Sequence, residues 1–313
     1  MDRWTPRRKQ GLSLIELVII FFIVATLLLL VVGLCTRSRD LARTMACITN
    51  VKQIAMAIEN YQMDWKFSPE RISALVPVYL ASASTLRCPA DPGDGNSYDA
   101  DYVARMFSEE DPHKVFLVCN RHSWQRRAVV GYLSYATAAS DLSKFTWQGI
   151  SGSFHTPYTG GKLSFADGTT VSILQGTVCV LSSFRDISGT PYTILYVPDS
   201  QEPSTATRVE VRHTGDSRFE IVDPCVIAGV AGTRFQLQTV WDSGSVTSSV
   251  SVSEGAVILD LRGEPMRLTA SPADGVITVD ASCVLPDSSA QTPKEPPKRA
   301  KVKGVKKGPK GAL

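Results

Sequence analysis

The residues best equipped for chemistry in this 313-residue chain are its seven cysteines, its four histidines and one carboxylate-dense loop. The cysteines are Cys35, Cys47, Cys88, Cys119, Cys179, Cys225 and Cys283. No two stand in C-x-x-C spacing, which argues against a zinc ribbon or a thioredoxin-type redox pair. Cys88 with His122 or His155 could be drawn as a thiol dyad, but Cys88 precedes a proline and reads more naturally as half of a bridge. The loop Asp91-Pro-Gly-Asp94-Gly-Asn96-Ser-Tyr-Asp99-Ala-Asp101 packs four carboxylates and one amide among glycines. Hard oxygen donors on such a loop suit calcium, although the spacing is not that of an EF-hand; a solvated acidic turn is the alternative. The patterns G-x-S-x-G, H-E-x-x-H and the phosphate loop are absent, so no catalytic residues are assigned and an enzyme is not expected.

A second constellation is His155 with Asp167-Gly168. Lys162–Ala166 and Thr169–Ile173 alternate in polarity on either side of that dipeptide, which predicts a hairpin, because glycine accepts positive φ and aspartate tolerates it. His155 and Asp167 could be a metal or catalytic pair. Turn chemistry favours the plainer reading, with Asp167 as a turn residue and His155 packed against the hairpin.

These groups must be positioned by the elements around them. From Leu12 to Leu34 the chain is strongly apolar with a single charge, Glu16, long enough for a helix of ~35 Å that crosses a bilayer. Arg7, Arg8 and Lys9 precede it, so the positive-inside rule puts the N-terminus in the cytoplasm and the residues after Cys35 outside. A cleaved signal peptide would be shorter, and Gly33-Leu34-Cys35 is a poor small-residue cleavage site. From Asp40 to Trp65, Leu41, Met45, Ile48, Val51, Ile54, Ile58, Tyr61 and Trp65 step by three or four, the mark of an amphipathic helix.

Past Phe184 the pattern changes to short β runs. Arg208–Arg212 and Arg218–Val222 flank one turn, Arg234–Thr239 and Val246–Ser253 another, with Ala256–Leu261 and Val276–Asp280 following. Residues 287–313 are rich in lysine and proline and lack the apolar residues for a core, so they are expected to be disordered. The overall charge of +3 hides a polarity: the leader carries +3 and the stretch Lys294–Lys310 carries +7, leaving −7 on the residues between them. The tail lacks aromatics between its lysines, so nucleic acid is at most a non-specific partner.

The residues around Gly11, R-R-K-Q-G-L-S-L-I-E, resemble the cleavage and methylation motif of type IV prepilins and type II secretion pseudopilins. The resemblance implies cleavage after Gly11 by a prepilin peptidase, N-methylation of Leu12, and assembly with other pilin or pseudopilin subunits through Glu16. Leu12 stands where phenylalanine is usual in that family. A carboxylate in the membrane costs ~2.5–3.5 kcal/mol, so a neighbouring Leu12 α-amine is its natural partner. The stretch from Ala42 to Tyr61 is similar to the pilin helix of G-type pseudopilins. Thr85–Pro92, Phe116–His122 and the His155…Asp167-Gly168 element resemble the head of a large prepilin-like family. Ala228–Thr239 with Ser248–Leu259 resembles the FecR-type domain of envelope sensors.

The implied architecture is α+β: a leader (1–11), a pilin helix (12–65, membrane-spanning over 12–34), an α+β head (66–180), an all-β FecR-like domain (181–286) and the tail (287–313). G-type pseudopilins bind calcium in a head loop, which supports Asp91, Asp94, Asn96, Asp99 and Asp101 as ligands. Outside the cytoplasm disulfides are permitted, and Cys88–Cys119 is the preferred pair. Cys47 could instead staple the head to the helix, and Cys35 is the natural unpaired thiol. The expected location is the inner membrane, single-pass, with the head periplasmic or extracellular. The expected function is a pilin-like structural subunit; the alternative is a single-pass envelope sensor or binding protein.

Overall fold

The computed structural model describes residues 14–93, 95–106, 114–122, 127–132, 135–140, 145–152, 156–198, 206–242, 245–262, 267–271, 276–284 and 301–307. Arg7, Arg8, Lys9, Gly11, Leu12, Asp94 and His155, singled out above, lie outside them. The chain divides into two units, residues 1–43 and 44–313.

The described part of the first unit belongs to helix α1 (Leu14–Trp65). Its apolar side chains up to Leu34 are exposed, as at Phe21 and Leu29, and α1 is long and apolar enough to cross a membrane. Uncovered apolar surface is unfavourable at ~25 cal/mol per Å², so this stretch requires lipid or other helices around it. Glu16 lies in the first turn, where its charge complements the helix dipole. Thr26 donates its hydroxyl to the carbonyls of Phe22 (3.1 Å) and Ile23 (2.8 Å), which satisfies a polar group in an apolar run.

In the second unit α1 becomes a core element. Thr44, Cys47, Val51, Ile54, Ile58 and Tyr61 are buried. Met45, expected in the buried stripe, is instead exposed, because the inward face runs through Thr44 and Cys47. The helix ends at Trp65, before Pro69: Lys66 takes φ 63°, and its N–H donates to the Gln62 carbonyl at 2.9 Å.

Strands β1 (Val115–Cys119), β2 (Arg127–Tyr132) and β3 (Ala136–Ser140) form an antiparallel sheet in that order. Phe116, Leu117, Cys119 and Val129 join the core of α1, while Val115, Val118, Ala128 and Val130 join a second core with Phe184, Tyr192 and Ile194. A register shift between Val115 and Leu117 lets two consecutive residues face the helix. Gly131 is a close-approach glycine: a Cβ there would stand 2.6 Å from the Val51 side chain.

The remaining strands form one twelve-stranded sheet. They begin with β4 (Phe145–Trp147), β5 (Ile150–Ser151), β6 (Tyr158–Phe165), β7 (Thr170–Arg185) and β8 (Pro191–Tyr196). Then come β9 (Ala206–Arg212), β10 (Arg218–Val222), β11 (Val226–Asp242), β12 (Ser245–Leu261), β13 (Arg267–Ala270), β14 (Ile277–Val284) and β15 (Lys301–Lys307). The order is β15-β14-β12-β11-β10-β8-β7-β6-β4-β5, with β13 on β12 and β9 on both β11 and β7. Strands β7, β8, β10, β11 and β9 therefore close a hydrogen-bonded circuit, in which β8 and β10 run parallel. Its interior includes Val171, Leu181, Leu195, Val209, Phe219 and Phe235.

Asp167-Gly168 turns β6 into β7: Gly168 has φ 86°, and Asp167 Oδ1 accepts the Thr169 N–H at 2.9 Å. The segments expected at Val246–Ser253 and Ala256–Leu261 are one strand, β12, with a bulge at Gly255, whose Cβ would lie 2.4 Å from the Gly232 carbonyl oxygen. The boundary expected at 180/181 falls inside β7, whose two ends pair with β9 and β8. In the tail, the described stretch Lys301–Lys307 runs antiparallel along β14.

Candidate metal centre

Helix α1 brings Thr44 and Cys47, three residues apart, to the inner face of the head. Cys88 follows a 3-10 turn (Ala83–Leu86), and its N–H donates to Ser97 Oγ at 3.0 Å. Cys119 ends β1, and His122 lies three residues on. The four side chains meet: Cys88 Sγ is 3.8 Å from Cys47 Sγ, 3.6 Å from Cys119 Sγ and 3.4 Å from His122 Nε2. All four potential ligand atoms lie within 4.8 Å of one another, and all four residues are buried. Among the described residues this is the one such group of three or more Cys, His, Asp or Glu.

The surroundings hold this geometry. His122 Nδ1 is 3.3 Å from Thr44 Oγ1, which leaves Nε2 pointing at the thiols. Tyr98 Oη is 3.1 Å from Cys47 Sγ. Arg121, beside His122, reaches Asp91 Oδ2 at 3.1 Å and pairs with Asp101, and its Nη1 is 4.0 Å from Cys119 Sγ. Contacts from Cys119 and Cys47 push the Cys88 thiol down. Cys119 is pushed well up by its contacts with Cys47 and Cys88 and by burial.

One expectation about these residues needs correction. Cys88 and Cys119 are not bonded, since 3.6 Å far exceeds the ~2.05 Å of a disulfide. The disulfide present joins Cys225, just before β11, to Cys283 in β14, with Cα atoms 5.5 Å apart. In the acidic loop, with Asp94 outside the described residues, the other four side chains are engaged within the fold. Asp91 caps Gly93 and holds Arg121, Asn96 Oδ1 accepts the N–H groups of Tyr98 and Asp99, Asp99 Oδ1 accepts the Ile72 N–H, and Asp101 pairs with Arg121. Its carboxylates shape the loop and fix the arginine beside the thiols. Cys35 is an exposed thiol, and Cys179 a buried one raised to about 12 by burial. Asp167 serves the hairpin turn and accepts from Ser217, while Thr169 contacts His213 at 2.7 Å.

The one local signal for the cluster that the sequence holds is Cys119-Asn-Arg-His122, a C-x-x-H spacing distinct from paired cysteines. Cys47 and Cys88 lie 72 and 31 residues upstream of Cys119, so only the fold assembles the set.

No protein family and no curated protein matches the chain. Among solved structures it is similar to two crystal structures of a "putative anti-sigma factor" from Parabacteroides distasonis ATCC 8503. Identity is 14% over 41% of this chain in one case and 15% over 45% in the other, with TM-scores of 0.29 and 0.28. The aligned part spans 55% of each of those chains, about half their length.

Proposed function

We propose that the chain is a pilin-like, membrane-anchored envelope subunit that is cut after Gly11, joins other subunits through its N-terminal helix, and carries its β-rich body outside. The observation behind this reading is the division of labour within α1. Its residues up to Leu34 present an exposed apolar surface, whereas Cys47, Val51, Ile54 and Ile58 build the core of the head. A subunit held in a bundle of like helices needs both: an apolar face for lipid and neighbours, and a rigid attachment for the head. On this reading Glu16, in the first turn of the described helix, would take the α-amine that cleavage would create at Leu12 of a neighbour.

A second reading, a single-pass envelope sensor or binding protein, is favoured by the size of the β body. The residues that resemble a FecR-type domain pair as β11 and β12, strands of 17 residues each. N-terminal sequencing of the protein from a host with a prepilin peptidase separates the two. The pilin-like reading expects a start at Leu12 in the native chain and an uncut chain in Gly11→Ala. A membrane-bound protein that still begins at Met1 supports the sensor, and a start at or beyond Cys35 removes the anchor that both require.

A further inference from the structure

We propose that Cys47, Cys88, Cys119 and His122 bind one zinc ion in a closed, structural site. Zinc bonds to thiolate at ~2.3 Å and to imidazole at ~2.0–2.1 Å. In a tetrahedron these lengths set S–S edges of about 3.8 Å and S–N edges of about 3.5 Å. The observed edges from Cys88 are 3.8, 3.6 and 3.4 Å. Thiols in mere van der Waals contact have no reason to converge in threes upon an imidazole nitrogen, and a disulfide would need only two of them.

The donor set selects the ion. Three soft thiolates and one imidazole at tetrahedral spacing suit zinc and disfavour calcium or magnesium, which take hard oxygen ligands at higher coordination. Four protein ligands leave no open position, so the site holds structure and carries no bound water for catalysis. Binding balances as Zn²⁺ plus three thiols and a neutral imidazole giving a zinc–tris-thiolate–imidazole centre of charge −1 and three released protons. Arg121, 4.0 Å from Cys119 Sγ and anchored by Asp91 and Asp101, places a positive charge against that centre. Thr44 holds the His122 ring through Nδ1, the nitrogen away from the thiols, as a hydrogen-bond partner ordinarily does for a metal-bound histidine.

Mechanically, the ion would tie three separate pieces of the head: α1 through Cys47, the loop after the 3-10 turn through Cys88, and the end of β1 through Cys119 and His122. On the reading proposed above, which puts the head outside the cytoplasm, the compartment gives a further reason for a metal. Outside the cytoplasm, adjacent free thiols oxidise, and coordination to zinc is the way to keep three of them reduced together.

The test uses the full chain, purified in detergent without chelator. Elemental analysis should give about one zinc per chain, and exchange with Co²⁺ should produce thiolate-to-cobalt charge-transfer absorption and the visible bands of tetrahedral cobalt. Alkylation after denaturation with chelator should modify five cysteines and leave the Cys225–Cys283 pair intact. Cys88→Ser and His122→Ala should lose the metal, while Cys179→Ser, whose thiol lies outside the cluster, should keep it. If the ligand variants fail to fold, the native chain still decides the matter. A Cys88–Cys119 or Cys47–Cys88 crosslinked peptide with little or no zinc overturns the proposal, as does iron in place of zinc.

Discussion

The β core and the head core each bring cysteines together, and they use them in opposite ways. In the β core, Cys225 and Cys283 stand opposite one another with no imidazole among their described partners, and they close a covalent bridge across 58 residues. In the head core, three thiols from three separate segments surround His122, and none of them is bonded to another. Two sulfurs without a nitrogen make a crosslink; three with a nitrogen at tetrahedral edge lengths make a ligand set. The difference teaches that cysteine pairing is decided by what else the fold delivers to the same place.

The comparison can be broken most severely with a chelator. If the head is held by a metal, stripping it should abolish cooperative melting of the head while leaving the disulfide in place, followed by calorimetry with peptide mapping. A reductant that does not bind metals should do the reverse. Removing the bridge by Cys225→Ala with Cys283→Ala should cost about 4 kcal/mol by loop-closure entropy, read from denaturant melts. Zinc content should not change, and a double variant that loses its zinc would show that the two cores are one cooperative structure.

The link between the cores offers the next test. Arg105, just after the Asp99–Asp101 turn, pairs with Glu220 of β10, with both side chains buried and Arg218 at 3.5 Å. Burial pushes the Glu220 carboxyl up, but Arg105 and Arg218 outweigh it and hold it below the ordinary glutamate range. A depressed carboxylate stabilises the fold above its unfolded value of about 4.3, and that contribution fades as pH falls toward the depressed value. Glu220→Gln should therefore cost about 3 kcal/mol at pH 7, because it strands a buried guanidinium. It should also flatten the acid side of the stability profile; an unchanged acid limb would assign that limb to other groups.

The smallest expected effect is also the most diagnostic. Thr44→Val leaves all four ligands in place and removes the hydroxyl beside His122 Nδ1. It should weaken zinc about 10- to 100-fold in competition with a chromophoric chelator, with the Co²⁺ spectrum retained. An unchanged affinity would mean that Thr44 merely fills space.

Much of the scaffold could be read in the residues before any coordinates. The long apolar run, the helix to Trp65, the Asp167-Gly168 hairpin and the β-rich C-terminal half all carry local signals: a period of 3.6, a period of two, a turn dipeptide. The cysteine chemistry could not, because it depends on where distant segments meet. Cys225 and Cys283 look no more like partners than Cys88 and Cys119 do, and sequence spacing carries little of the answer. The acidic loop is hard to read from sequence for a related reason. Carboxylate density is local, but whether carboxylates converge on a cation or fan out to backbone N–H groups and an arginine is settled by the path of the chain. In the helix, Val51, Ile54, Ile58 and Tyr61 follow the expected stripe, but Met45 does not, because methionine looks apolar while Thr44 and Cys47 had work that hydropathy does not reveal.

The closed circuit of strands has a consequence in time as well as in space. Strand β9 bridges β7 and β11, so neither of its edges is covered by what immediately precedes it in the chain. A chain made from its N-terminus can lay β9 on β7 once Arg212 has emerged, but the ring stays open until Val240 has followed. At ~5–20 residues per second that wait is on the order of seconds. During it, a half-built barrel presents a bare, alternating strand edge to whatever lies nearby.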